Sequence, residues 1–282
     1  MKQAYGFTLL ESISEFDKYI KKQKPTRKIY RLQVHHTDLP NYDTWEDTDK
    51  KVYKSNPELG RTNSLDDYGK RTWGSSDGHG HYIAQHFTIF PNGKITTGRH
   101  LNSTPIGIKG WNSGAICIEI YGDFDKGKDK MTSAQKKSVI AVYAILCMKF
   151  KMTPSTSCIK YHAWFTSGGT CIGTYDPKRS RKTCPGTNFF GGNTDTAMKR
   201  NFLPKIKEYI SGESTQTTFK SYVVRVTVNN LNVRSGPGTN FSKVDQVHKG
   251  QAFTIIDQDG NWGKLKSGVG WICLKGYTEK VK

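Results

Sequence analysis

The sequence lacks any hydrophobic run that approaches the roughly 20 residues needed to cross a bilayer. Its best candidate, residues 139–150, is an amphipathic stretch. The N-terminus also lacks the basic, apolar and small-residue order of a secretory signal, because Glu11 and Ser12 follow directly after Leu10. These absences predict a protein without membrane insertion that is made soluble in the cytoplasm.

Acidic residues are scarce beside basic ones. The 282 residues include 43 Lys and Arg against 24 Asp and Glu, which gives a net charge of +19. Such a charge favours a polyanionic partner, either nucleic acid, an acidic membrane surface or an anionic cell wall. The cations are spread along the chain without a compact basic arm, and this weakens the nucleic-acid interpretation.

Cysteine is present at only six positions. In a cytosolic product we expect free thiols, with one of them available as a metal ligand. If a disulfide framework did exist, Cys158 and Cys171 would be the pair to examine.

A polar, aperiodic stretch at residues 211–220 indicates a linker. The predicted organisation is therefore a first domain at 1–212, a linker at 213–221 and a second domain at 222–282.

The first domain mixes helical and strand periodicity. Residues 9–20 repeat at helical spacing, residues 29–34 alternate towards a strand that ends at His35, and 85–97 form a hairpin around Asn92-Gly93. Further predictions are a strand at 115–121, a helix opened by a capping box at 132–135, and a helix at 194–209 that is kinked or split at Pro204. For residues 41–80 we expect loops and short helices. Together these elements predict an α/β fold with a mixed sheet flanked by helices.

The second domain has a different sequence pattern. Short alternating runs are separated by Gly, Pro and Asn from Tyr222 onward, which predicts a small all-β barrel of about sixty residues.

Three metal-ligand residue types are scattered through the first domain: His35, His162 and Cys184. Two imidazoles and one thiolate suit a catalytic zinc site that keeps its fourth position open. Each residue taken alone is as well explained by a structural role. Alternation along a strand lets at most one of His35 and His36 reach the ion.

A rival pair lies in His79-Gly80-His81. It sits in a loop rich in Gly, Ser and Asp, which we interpret as solvated.

Four blocks in order carry a family resemblance. They are Leu32-Gln33-Val34-His35-His36-Thr37; His86-Phe87-Thr88-Ile89 with Asn92-Gly93 and Thr97-Gly98-Arg99; Asn112-Ser113-Gly114-Ala115-Ile116-Cys117-Ile118-Glu119; and Tyr161-His162 followed by Lys182-Thr183-Cys184-Pro185-Gly186. Over residues 27–212 the chain resembles the zinc-dependent N-acetylmuramoyl-L-alanine amidases of the amidase-2 type, which share a fold with peptidoglycan recognition proteins.

The resemblance implies roles for particular residues. It places one zinc ion on His35, His162 and Cys184, a general base on Glu119, and an oxyanion-stabilising cation on Lys182. For His86 it suggests a substrate contact.

Two departures from the family pattern stand out. Gln85 occupies the position where some relatives carry a catalytic Tyr, and a long insertion at 165–181 precedes Cys184. We expect this insertion to line or cover the cleft.

The second domain resembles bacterial SH3-type domains through Leu231-Asn232-Val233-Arg234-Ser235-Gly236-Pro237-Gly238-Thr239. Such domains typically bind peptidoglycan, so the partner implied is the bacterial cell wall, and a Gram-positive one.

The function implied by both resemblances is a phage endolysin that cleaves the amide between N-acetylmuramic acid and L-alanine and reaches the wall through a holin. A non-catalytic peptidoglycan-binding protein and a zinc peptidase acting on stem peptides stay open as alternatives. No nucleic-acid partner is expected, and the sequence leaves the oligomeric state open.

Overall fold

The computed structural model describes residues 1–212, 221–239 and 241–281, the side chain of Asp259 excepted. The chain divides into two compact units, Met1–Glu213 and Ser214–Lys282. All but the last residue of the predicted linker at 213–221 lies outside the described residues.

The described part of the first unit contains one mixed sheet of seven strands, in the order β1-β2-β5-β4-β6-β3-β7. The strands are β1 (Lys2–Ala4), β2 (Phe7–Leu10), β3 (Arg31–His36), β4 (Phe87–Ile89), β5 (Ile95–Thr97), β6 (Ala115–Ile120) and β7 (Ile159–Tyr161). Strand β3 pairs in parallel with both β6 and β7, and β4 pairs in parallel with β6. The remaining pairs are antiparallel, including the predicted hairpin of β4 and β5.

Helices surround this sheet. They are α1 (Ile13–Lys22), α2 (Tyr42–Thr44), α3 (Lys50–Val52), α4 (Pro57–Thr72), α5 (Ser133–Lys149), α6 (Asp195–Ala197) and α7 (Leu203–Ser211). Short 3-10 turns cover His162–Trp164 and Phe189–Gly191, and π-helical turns cover Trp45–Asp49 and Met198–Phe202. The predicted α/β architecture is confirmed.

Helix α5 provides the largest share of the core. Thr132 caps its first turn by accepting a hydrogen bond from Gln135 N, as the capping sequence predicts. Val139, Val142 and Leu146 are fully buried in the main hydrophobic cluster. The Gln135 side chain reaches across to the carbonyls of Ile89 and Tyr121, so the helix is also hydrogen-bonded to the ends of the sheet strands.

Two local predictions need correction. Leu9 and Leu10 belong to β2 rather than to a helix, because Ser12 caps the helix only from Ile13 onward. Residues 57–72 form the sixteen-residue helix α4, where loops and short helices were expected. Its weak apolar periodicity hides it in the sequence. The predicted split of the last helix near Pro204 is confirmed, because a π-helical turn ends at Phe202 and α7 begins at Leu203.

The second unit is all-β, as predicted. Its strands are β8 (Tyr222–Val226), β9 (Asn230–Arg234), β10 (Lys243–His248), β11 (Ala252–Asp259), β12 (Trp262–Leu265), β13 (Trp271–Cys273) and β14 (Thr278–Lys280). They pair antiparallel in the order β10-β9-β13-β12-β11-β8-β14 around a separate core that includes Val233, Ile255 and Ile272.

The six cysteines are free thiols in the structure. Among the described residues, no helix combines the length and apolarity needed to cross a membrane.

Candidate metal centre and active site

Parallel pairing brings the first two candidate residues together. Strand β3 pairs with β6 so that His35 lies directly opposite Glu119, at the carboxyl ends of both strands. Strand β7 flanks β3 on its other side and ends at Tyr161, so that His162 emerges at the same edge of the sheet. Carboxyl ends of parallel strands are a common place for a site, because the chain turns away there and leaves a crevice.

The third candidate ligand reaches this edge from a distant loop. Ala163 N donates a hydrogen bond to the Cys184 carbonyl at 2.7 Å, which ties this loop to the turn that carries His162. The Cys184 Sγ then lies 3.7 Å from His35 Nδ1. One nitrogen each of His35 and His162 and the sulfur of Cys184 lie within 4.8 Å of one another. The structure thus brings together the three residues that the sequence identified as ligands.

Asp125 secures the Cys184 loop. Its carboxylate accepts hydrogen bonds from Thr183 Oγ1 at 2.9 Å and from Thr187 N at 2.8 Å. Between them, Gly186 adopts a φ of +110° and packs against the Phe124 backbone so closely that a Cβ would overlap it. The position therefore requires glycine on both counts.

His36 faces the other way, as strand alternation predicts. Its Nδ1 accepts a hydrogen bond from Phe124 N at 3.1 Å, and its backbone N lies 3.4 Å from Cys184 Sγ. His36 therefore supports the site without presenting its ring to the three ligand atoms.

Gln33 orients His35, a role that the sequence analysis missed. Its amide nitrogen donates to the Trp111 carbonyl and to Asn112 Oδ1, so its oxygen is left to face His35 Nε2 at 3.3 Å. An acceptor there places the imidazole proton on Nε2 and leaves the Nδ1 lone pair facing Cys184. The available signal was strand alternation, since residues 33 and 35 share a face.

The protonation tendencies of the donor set fit a divalent metal ion. Burial, together with the charges of His162 and Lys182, holds the pKa of His35 well below its usual value. Burial and Lys182 lower the pKa of His162 to about 4. Both imidazoles are therefore neutral at physiological pH, which metal binding requires.

The buried thiol of Cys184 loses its proton only if a cation lies beside it. Burial and the nearby Glu119 raise the pKa of Cys184 well above the ordinary value. A thiolate at this position thus needs a cation beside it. Two neutral imidazoles and a buried thiol form the ligand chemistry that zinc prefers.

Glu119 and Lys182 flank the three ligands. Glu119 is half-buried, and burial raises its pKa to about 8, against a lowering effect of the Lys182 charge. Lys182 is exposed, and its charge also lowers the pKa values of His35 and His162.

These residues share one cavity of about 1100 Å³. Besides the ligands, Glu119 and Lys182, its lining includes Gln85 and residues of helix α4. Phe165, Thr166, Ser167 and Arg181 also line it, so both ends of the 165–181 insertion reach the cavity as expected.

The placement of His86 does not match the expected substrate contact. The side chain is 1% exposed and does not line the cavity. Its Nδ1 accepts from Cys117 N at 3.0 Å, and its Nε2 lies 3.0 Å from the Ser103 carbonyl. With both nitrogens engaged by backbone, His86 ties β6 to the loop after β5.

His79 and His81, the alternative pair of candidate ligands, also lie outside this cavity. The ring of His79 stacks on His100 with centroids 3.8 Å apart, and His81 packs against Phe7. Neither lines the catalytic cavity.

Comparison with known families identifies the first unit. The model of the N-acetylmuramoyl-L-alanine amidase family matches residues 25–187, more than half of the chain. The chain belongs to this amidase family. The model of the bacterial SH3 domain matches residues 229–279 of the same chain.

Several solved structures are similar to this chain. An endolysin amidase from Clostridium intestinale is 23% identical, covers 58% of this chain and 78% of its own, and has a TM-score of 0.36. The Drosophila peptidoglycan recognition protein LB is 16% identical, with coverage of 63% and 84% and a TM-score of 0.40. The Manduca sexta peptidoglycan recognition protein 1 is 19% identical, with coverage of 63% and 81% and a TM-score of 0.42. No curated protein sequence gave a significant match.

Proposed function

We propose that this chain is a zinc-dependent peptidoglycan hydrolase that cleaves the amide between N-acetylmuramic acid and L-alanine. The observation that carries the proposal is the convergence of three ligand atoms beside a half-buried carboxyl group in one large cavity. A recognition protein needs the cavity but has no use for a metal centre with a proton acceptor beside it.

The residues that would hold the ion are His35, His162 and Cys184. Zinc bound there lowers the pKa of its water towards ~7 and polarises the scissile carbonyl.

Glu119 is the proton acceptor in this proposal. Its raised pKa, about 8, makes its carboxylate a stronger base than an ordinary glutamate and places the pKa near the operating pH. The carboxylate takes a proton from the attacking water at one Oε atom and delivers it to the leaving amide nitrogen.

Lys182 is the electrostatic partner. Lys182 lines the cavity, and its charge lowers the pKa values of Glu119, His35 and His162. A fixed cation there stabilises the negative charge that develops on the carbonyl oxygen, and losing such a donor typically costs on the order of 10²–10³ in kcat.

Fragment analysis of digested cell walls tests the proposal. The amidase reaction leaves intact glycan strands and releases stem peptides with a new N-terminal L-alanine. Shortened stem peptides would instead establish a peptidase. Wall binding without any released fragment, in protein shown to contain zinc, would establish a recognition protein. The matched control is Glu119→Gln, which keeps the shape of the cavity.

The target and the route of release are also proposals. The net charge of +19 supports an anionic, Gram-positive wall. Action as an endolysin released through a holin stays a prediction, to be checked by expressing the chain with and without a holin and timing host lysis.

A further inference from the structure

A second cavity, of about 550 Å³, lies in the first unit and shares no lining residue with the catalytic cavity. It is formed by the loop after β6, the first turn of α5 and residues 188–208. Its volume is in the range of small-ligand sites.

Most of the charged residues that line this second cavity are basic. Lys130, Lys136, Arg200 and Lys205 are all exposed, and in the described part of the chain none of them forms a salt bridge. Two carboxyl groups also line the cavity, those of Asp129 and Glu208. The Asp129 carboxylate is already engaged, because it accepts hydrogen bonds from the backbone N of Tyr42 and of Asp123. Four cations against two carboxylates leave the lining with a net positive charge of two, which suits an anionic ligand.

An aromatic ring lies at the base of the same cavity. Phe190 adopts φ 44° and ψ 41°, the left-handed conformation that side chains other than glycine rarely take. Asn201 Nδ2 donates to the Phe190 carbonyl at 2.9 Å and holds the backbone there. Lys136 Nζ lies 5.3 Å from the centre of the ring. A cation and an aromatic ring thus lie next to each other in the lining.

We propose that this cavity, the polyol-phosphate site, binds a repeat unit of a phosphodiester-linked polyol polymer of the cell wall. The cations contact the phosphates, and the carbon chain of the polyol lies against the small exposed part of Phe190 that lines the cavity. The inference rests on the proposed wall-directed function and adds to it a second attachment point, on the catalytic unit itself.

Other polyanions fit the site less well. A lipid surface calls for exposed apolar side chains that insert between headgroups, and none of the exposed large hydrophobic residues lines this cavity. Single-stranded nucleic acid is bound by grooves with successive stacking platforms. Here the exposed cations surround one discrete cavity whose aromatic side chains are packed into the core.

The test measures binding of soluble poly(glycerol phosphate) to the full-length chain by titration calorimetry. The variant Lys136→Glu/Arg200→Glu reverses two rim charges. The control Lys22→Glu/Lys207→Glu makes the same charge change at two exposed lysines that line neither cavity. We expect the rim variant to bind at least about tenfold more weakly at low salt, and the control to bind within about twofold of the wild type.

Three outcomes would overturn the proposal. Equal weakening in both double variants would mean that net charge alone attracts the polymer. Unchanged binding in the rim variant would place the polymer elsewhere. A rim-dependent affinity for an oligo(dT) or for phosphatidylglycerol vesicles, without affinity for the polymer, would identify a different ligand. If the first rim variant loses its native circular dichroism, Lys130→Glu/Lys205→Glu provides a second one with the same expectation.

The result is independent of the amidase reaction, because the polymer contains no peptidoglycan amide. Polymer binding that persists in a chain without lytic activity would refute the proposed reaction and leave this site standing. Lysis without rim-dependent polymer binding would do the reverse.

Discussion

At the scale of single residues, the site depends on how each ligand is held. Gln33 fixes the His35 ring through Nε2, and Asp125 fixes the loop that carries Cys184. Such supporting contacts decide metal affinity almost as strongly as the ligands do.

Cys184 and Glu119 should separate metal binding from catalysis. Cys184→Ser removes the thiolate, so we expect loss of both bound zinc and wall lysis. Glu119→Ala removes only the proton acceptor and should keep zinc while lysis falls by about 10²–10⁴-fold. Metal content by mass spectrometry and turbidity of purified walls measure the two effects. Equal loss of zinc in both variants would contradict this division of roles.

Replacement of Gln33 should weaken zinc binding without any change to a ligand. Gln33→Leu removes the acceptor for His35 Nε2, and we expect zinc affinity to fall about 10–100-fold in a chelator competition assay. Gln3→Leu makes the same change at an exposed glutamine that does not line the cavity and is the matched control, so its zinc affinity should equal that of the wild type. Similar affinities of Gln33→Leu and the wild type would show that His35 needs no such partner.

His86 should make stability depend on pH. Burial and the Arg27 charge lower its pKa to about 3, so the folded state keeps it neutral while the unfolded state takes up a proton below about 6.5. The free energy of unfolding is therefore highest above pH 6.5 and falls as the pH drops towards 3, by at most about 1.4 kcal/mol per pH unit for this residue. Urea unfolding between pH 7.5 and 5 measures the slope. His86→Gln should reduce it.

At the scale of elements, helix α4 is held by a buried ion pair. Arg61 Nε donates to both carboxylate oxygens of Asp49, at 2.9 and 3.0 Å, and Tyr121 Oη donates to the same carboxylate at 2.7 Å. Asp49 is fully buried. The pair fixes a helix that forms part of the catalytic cavity wall.

Breaking this pair should be costly. Asp49→Ala leaves the Arg61 guanidinium without its partner, and we expect the free energy of unfolding to fall by about 3–5 kcal/mol in urea titration. Asp47→Ala removes an exposed carboxylate that pairs with Lys51 and should cost less than about 0.5 kcal/mol. Comparable losses in the two variants would mean that burial of the pair is unimportant.

Elements with a strong local signal were predicted well. The Asn92-Gly93 turn fixed the hairpin, and Thr132 fixed the start of α5, because both signals act within four residues. Helix α4 was missed because its contacts, such as Arg61 with Asp49 and Thr62 with Thr96, are distant in sequence. The hydrophobic periodicity of α4 itself does not predict these contacts.

At the scale of the whole molecule, each unit has its own hydrophobic core. The proposed division of labour assigns cleavage to the first unit and wall attachment to the second. A binding domain tethered to an enzyme raises the local concentration on an insoluble substrate.

Removal of the second unit should separate cleavage from wall attachment. We expect residues 1–212 alone to cleave a soluble muropeptide at a rate close to that of the full chain. On insoluble walls at low enzyme concentration the rate should fall by about tenfold or more, measured as turbidity loss. Adding residues 222–282 as a separate chain should not restore it, because the effect depends on covalent linkage. Full restoration would refute tethering as the cause.

The sequence by itself determined the two-part organisation, the α/β and all-β classes and the three metal-ligand residue types with their flanking Glu119 and Lys182. The fold classes and the boundary follow from periodicity, turn residues and composition, whereas the choice of these site residues follows from the ordered motifs of the family resemblance. Only the tertiary structure decided that Gln33 orients His35, that His86 lies buried away from the cavity, and that unpaired cations surround a second cavity. Those facts depend on contacts between residues far apart in sequence, which form only when parallel strands and long loops pack together.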